Sequence, residues 1–65
     1  MNTITIQQKC YARLLSAGKL TIERVPENDK VNTYAYAVHH YGYDISLVGE
    51  IYLAQVLVKI EEISQ

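Results

Sequence analysis

Apolar residues recur at helical spacing through the last third of the chain, Ile45–Ile63, which contains no proline. On a helical wheel of about 100° per residue they fall into two arcs. The broader arc contains Ile45, Tyr52, Leu53, Val56, Leu57, Ile60 and Ile63. The second contains Leu47, Ile51, Ala54 and Val58. Because a surface helix of a monomer needs only one apolar stripe, we expect the second arc to pack against another molecule.

The same segment includes Val56–Val58, a run that also fits a buried strand. The length of the segment favours a helix, as do Glu50, Gln55 and Lys59, whose helix propensities are adequate. The sequence therefore predicts a final helix over Ile45–Ile63, with Asp44 or Ser46 as its N-cap.

A capping box opens the chain, since Thr5 is followed by Gln8 at the required spacing. Gly18 suits the end of a helix, because glycine adopts positive φ without a side-chain penalty. These signals predict a first helix over Thr5–Ala17. One face of it would carry Ile6, Cys10, Leu14 and Ala17, and a second apolar line would carry Ile4, Tyr11 and Leu15. Placed on the first face, Cys10 is predicted to be a buried, inert thiol.

The period changes in the middle of the chain, where Leu20–Val25 and Val31–His39 alternate. Pro26 and the polar stretch Glu27–Lys30 lie between them, as in a β-hairpin loop. The predicted fold is therefore α+β, in the order helix, hairpin, helix. Both helices would pack on the small antiparallel sheet, because a two-stranded sheet is not stable alone.

The chain has 65 residues and one cysteine. Such a length predicts a single domain over residues 1–65 with a small core, and Cys10 cannot form an intramolecular disulfide. Among the other means of stabilising so small a domain, which are a metal, oligomerisation or unusually good helix packing, oligomerisation best fits the two apolar arcs. We therefore expect a homodimer in which the arc of Leu47, Ile51, Ala54 and Val58 faces its own copy across a two-fold axis.

Charge is nearly balanced, with six Lys and Arg against seven Asp and Glu and a net charge of −1. Lys9, Arg13 and Lys19 precede the first acidic residue, whereas acids predominate near the end. This asymmetry fits a basic helix beside an acidic one, within a chain or between chains. The chain shows neither a signal peptide nor an apolar run long enough for a membrane span, and its lone thiol favours the cytoplasm.

Two histidines and an aspartate, His39, His40 and Asp44, are residue types that bind metals. Neighbouring residues of a strand point to opposite faces, so His39 and His40 would not share an ion. No phosphate-binding loop or nucleophile motif is present. We therefore expect no catalytic residues, no metal and no cofactor.

All six aromatic residues are tyrosines, and Tyr34, Tyr36, Tyr41 and Tyr43 fall within ten residues. Tyrosine combines an apolar ring with a polar hydroxyl group. Such a side chain suits a surface that is hydrated in the free protein and excludes water when a partner binds. We expect these four residues to bind a partner protein. Packing against the helices is the simpler interpretation, and a base-stacking platform is the third.

These features predict a small non-enzymatic interaction module, such as a regulator, an inhibitor or an accessory subunit. Chains of this size and composition include proteins of phages and mobile elements. The alternative is a small DNA- or RNA-binding regulator that uses its basic first helix and hairpin. In that case Lys9, Arg13, Lys19 and Arg24 would contact phosphates, although a near-neutral chain is poorly suited to this.

Overall fold

The computed structural model describes residues 4–65. Over this range the chain forms three α-helices, which are α1 (Ile6–Ser16), α2 (Glu27–Tyr41) and α3 (Glu50–Ile63). Single 3-10 turns, Ile22–Arg24 and Ile45–Leu47, lie in the two connections. Residues 4–65 contain no β-strand, so the predicted α+β fold with an antiparallel sheet is wrong.

The predicted strand Val31–His39 is the interior of α2. Tyr34 and Ala35 are neighbours in sequence and both are buried, which an alternating strand does not allow. Together with Val31 and Val38 they follow the spacing i, i+3, i+4 and i+7 of an amphipathic helix. The apparent alternation put the tyrosines on one side and the alanines on the other, and this concealed the helical pattern.

Pro26 begins a helix instead of ending a strand, because it occupies the N-cap position of α2. Glu27 and Asp29 follow in the first turn, where the helix dipole favours negative charge. Gly42 ends the helix with a left-handed φ of 72°. The other predicted strand, Leu20–Val25, contains a 3-10 turn, after which Val25 is buried.

The predicted first helix is confirmed together with its caps. Gln8 N–H donates to the Thr5 hydroxyl at 3.1 Å, and Thr5 N–H donates to Gln8 Oε1 at 3.0 Å. At the other end Gly18 has a φ of 75°, and Lys19 N–H donates to the Leu14 carbonyl at 2.9 Å. These local interactions set both ends of α1, independently of what the helix packs against.

The predicted buried face of α1 is wrong. The core side of this segment contains Ile4, Gln8, Ala12 and Leu15, whereas Ile6 and Cys10 are exposed. Gln8 is tolerated inside because its Nε2 donates to Asp29 Oδ1 at 2.7 Å and its Oε1 accepts from Asn32 at 3.1 Å. A polar residue thus directs the packing of α1 onto α2.

The final helix starts later than predicted, at Glu50 instead of Ile45. Asp44 does cap, but it caps the 3-10 turn, where its carboxylate accepts the Ser46 N–H at 2.9 Å. That hydrogen bond holds the pKa of the Asp44 carboxyl below its usual range. Val48 is then buried in an extended conformation, which separates the turn from α3.

The core lies along α2, which packs against both other helices. Its buried residues are Ala12, Leu15, Tyr34, Ala35, Ala37, Val48 and Val56. The Tyr52 hydroxyl donates to the Glu27 carboxylate at 2.9 Å near the starts of α3 and α2. His39, near the end of α2, lines one groove with Glu62 and Ile63 of α3. The two helices therefore run in the same direction.

Candidate interaction surface

Of the predicted dimer residues, Ile51, Ala54 and Val58 lie on α3, and Leu47 lies in the 3-10 turn that precedes it. We call these four residues the outer α3 face. All four are exposed, with Leu47 at 60%, Ile51 at 80% and Val58 at 59%. On the opposite side of α3, Val56 is fully buried. The helix therefore presents one apolar face to the core and a second to solvent.

The broader arc of the same helix packs inward only in part. Tyr52, Leu53, Ile60 and Ile63 are partly buried against the core around Val56. Leu57 remains 52% exposed and extends the apolar surface beside the outer α3 face. The sequence pattern places Leu57 at the edge of the broader arc, next to Ala54, and this edge position is exposed.

An open groove runs beside the outer α3 face, between α3 and the start of α2. It is lined by Val31, Ala54, Gln55, Val58, Lys59 and Glu62. Its volume of about 370 Å³ is large enough to receive apolar side chains from another molecule. The groove adds a recess to an otherwise convex helix surface.

The four candidate tyrosines separate into two environments. Tyr34 is only 3% exposed, and its ring centroid lies 6.2 Å from that of Tyr43 and 6.0 Å from that of Tyr52. Burial raises the pKa of both the Tyr34 and Tyr43 hydroxyls. Tyr34 is thus a core residue, and Tyr43, partly buried, packs against it.

Tyr36 and Tyr41 belong to a more accessible cluster at the end of α2. The His40 ring stacks on Tyr36 with centroids 4.9 Å apart and meets Tyr41 edge-on at 4.8 Å. Lys9 Nζ lies 5.7 Å from the centroid of the Tyr36 ring. This cluster joins aromatic surface to a cation from α1, a combination that sequence spacing did not reveal.

The outward side of α1 forms a second exposed line, which we call the α1 seam and define as Ile6, Cys10, Arg13 and Ala17. All four residues are exposed, Ile6 at 80%. Three of them belong to the face that the sequence predicted to be buried. Ile6, Cys10 and Ala17 therefore place apolar side chains at the surface, and Arg13 adds a positive charge between them.

His39 and His40 lie in the last turn of α2 and not at a strand end. Within residues 4–65, no group of three or more His, Cys, Asp or Glu residues is close enough together to hold a metal ion. No helix in the described part of the chain combines the length and apolar character required to cross a membrane.

No protein-family model matches this chain, and no significant match exists among curated proteins or solved structures. The surfaces described above are therefore interpreted from their own chemistry.

Proposed function

We propose that this protein is a small, non-enzymatic interaction module that self-associates through the outer α3 face, in the simplest case as a homodimer. One observation carries the proposal. Ile51 and Val58 are largely exposed on the same helix whose opposite side, at Val56, is fully buried. Large apolar side chains concentrated on one outward face are typical of protein interaction sites.

The size of the chain supports the same proposal. A standard interface buries about 800 Å² on each partner. An interface of that size would cover close to a fifth of the 4359 Å² that the protomer exposes, so association would add substantially to the surface that the chain buries. Burying one exposed Ile, Leu or Val contributes about 1.5–3 kcal/mol, a large addition for a domain with so small a core.

Sedimentation velocity of the wild-type chain and of Ile51→Glu tests this proposal. We expect the wild type to associate at micromolar concentration. Ile51→Glu should sediment as a folded monomer, because the substitution places a charge at the centre of the contact and removes little from the core. Circular dichroism should show unchanged helix content.

Tyr41→Glu provides the control, since Tyr41 is exposed at the end of α2 and is not part of the outer α3 face. It should associate as the wild type does. A wild-type chain that remains a folded monomer at these concentrations would contradict self-association.

The cluster around Tyr36 and Tyr41 is the proposed site for a protein partner, through which the module would act as a regulator, an inhibitor or an accessory subunit. Tyrosine anchors contribute disproportionately to binding energy. The proposed place of action is the cytoplasm, which the single cysteine supports.

Partner capture from the native host should therefore fall about tenfold or more in Tyr41→Ala, with the fold intact. Pull-down followed by mass spectrometry measures this, with and without nuclease. Thr21→Ala, an exposed substitution in the α1–α2 connection, is the control and should capture the partner normally. Equal capture by both variants would remove Tyr41 from the proposed site.

One observation favours a nucleic-acid ligand as the second candidate, namely the position of Lys9 beside the Tyr36 and His40 rings. Aromatic rings next to cations bind single strands by stacking and phosphate contact. Glu62 lines the same groove and opposes an anionic ligand. Steeply salt-dependent oligonucleotide binding that is lost in Lys9→Ala would favour this candidate over a protein partner.

A further inference from the structure

Opposite charges accompany the two exposed apolar lines of the protomer. Lys9 and Arg13 are the charged residues of α1, which contains no acid. Helix α3 contains Glu50, Glu61 and Glu62 against the single Lys59. The α1 seam therefore contains the cation Arg13 and has Lys9 beside it, whereas acids border the outer α3 face.

This complementarity is unused within the described part of the chain. Its ion pairs join Lys30 to Glu27 within α2 and Lys59 to Glu62 within α3, each at 3.2 Å. Neither pair connects α1 to α3, and both helices direct their main contacts to α2. Lys9 of α1 and Glu62 of α3 line one groove, but no ion pair joins them within residues 4–65.

The two surfaces also match in spacing. Within α1, Ile6, Cys10 and Arg13 are spaced by four and three residues, and within α3, Ile51, Ala54 and Val58 are spaced by three and four. Each set spans seven residues, the repeat length over which paired helices interlock their side chains. Cys10 and Ala54, small residues near the middle of each line, would allow the helix axes to approach closely.

We infer that the occupant of the outer α3 face is the α1 seam of a second copy of this chain. This inference rests on the proposed function, and it replaces a symmetrical pairing of α3 with itself. Pairing α3 with α3 would bring two acidic borders together, which is unfavourable, whereas α1 supplies cations to the same apolar surface. Two reciprocal contacts close a dimer, and single contacts repeated from copy to copy form a ring or filament.

Disulfide trapping tests which helices meet. Ala54→Cys, which retains the native Cys10, places one thiol on each surface. Oxidation should give species linked between Cys10 of one copy and position 54 of another, identified on non-reducing gels and by peptide mapping, since a disulfide requires Cα atoms within about 7 Å. The double variant Cys10→Ser/Ala54→Cys should remain uncrosslinked.

The matched double variant decides between the two modes of pairing. Efficient crosslinking of Cys10→Ser/Ala54→Cys would show that α3 meets α3, which overturns this inference and leaves self-association intact. Association by sedimentation without crosslinking in either variant would also overturn it. If the wild-type chain does not associate at all, the proposed self-association is itself contradicted.

Charge reversal provides an independent measurement. Arg13→Glu should weaken self-association about tenfold or more, because it opposes an acid to the acidic border of α3. Lys19→Glu, outside the seam and beyond the end of α1, should leave association within about twofold of the wild type. Equal behaviour of the two variants would contradict the pairing of α1 with α3.

Discussion

Tyr34→Ala should cost about 3–5 kcal/mol of unfolding free energy, the range for truncating a buried aromatic residue. Small domains have only about 5–15 kcal/mol in total, and a 65-residue chain lies near the lower limit. The Tyr34 ring is almost fully buried and lies 6.0 Å from the Tyr52 ring of α3. Removing it would leave a cavity where α2, α3 and their connection meet. Urea unfolding followed by circular dichroism should show loss of most of the cooperative transition.

Tyr41→Ala is the control, since it removes the same side chain from an exposed position on the same helix. Its unfolding midpoint should stay near that of the wild type. If Tyr34→Ala instead keeps the wild-type midpoint, the ring does not stabilise the core, and its assignment as a partner-binding residue becomes the better one.

The second large effect distinguishes the two faces of α3 with one chemical change. Val56→Glu should prevent folding, because it buries an unpaired carboxylate where the native side chain is fully enclosed. Val58→Glu introduces the same group two residues later, where the native side chain is 59% exposed. This variant should keep its helix content and lose self-association.

Helix content and sedimentation velocity, measured on both variants, separate folding from assembly. A folded Val56→Glu chain would mean that the inner side of α3 is not enclosed as described. A Val58→Glu chain that associates like the wild type would exclude Val58 from the contact.

The sequence was sufficient for α1 because its signals are local. A capping box and a glycine with positive φ determine where the helix begins and ends, whatever it packs against. The face of α1 was predicted wrongly, since nothing local shows that Gln8 would be buried. Its burial depends on Asp29 and Asn32, which are more than twenty residues away.

The error in α2 has a different physical origin. Tyrosine, valine and threonine favour strands in isolation, and tertiary packing overrides such preferences. The opposing evidence was present in Pro26, followed by acids in a first helical turn, and in Gly42 at the end. Interpreted as caps instead of turn residues, these positions predict a helix.

The two arcs of the final segment were the most informative part of the sequence. The periodicity correctly separated Val56 from Ile51 and Val58, because amphipathic spacing reports which residues share a face. The periodicity did not show that the helix starts only at Glu50. Asp44 resembles the N-cap of a long helix in the sequence, but in the structure it caps the 3-10 turn Ile45–Leu47. The pattern does not indicate which surface pairs with the outer α3 face, and the proposed pairing with α1 rests on the charges of a different helix.

The parallel course of α2 and α3 limits how the length of this protein can vary. The connection 42–49 must return along most of α2, whose 15 residues measure roughly 22 Å. Eight residues reach at most about 26–29 Å when fully extended, and the 3-10 turn shortens this. The connection therefore has little slack. Relatives of this chain should accept insertions between Gly42 and Gly49 more readily than deletions, because a shorter connection would pull the start of α3 away from Glu27.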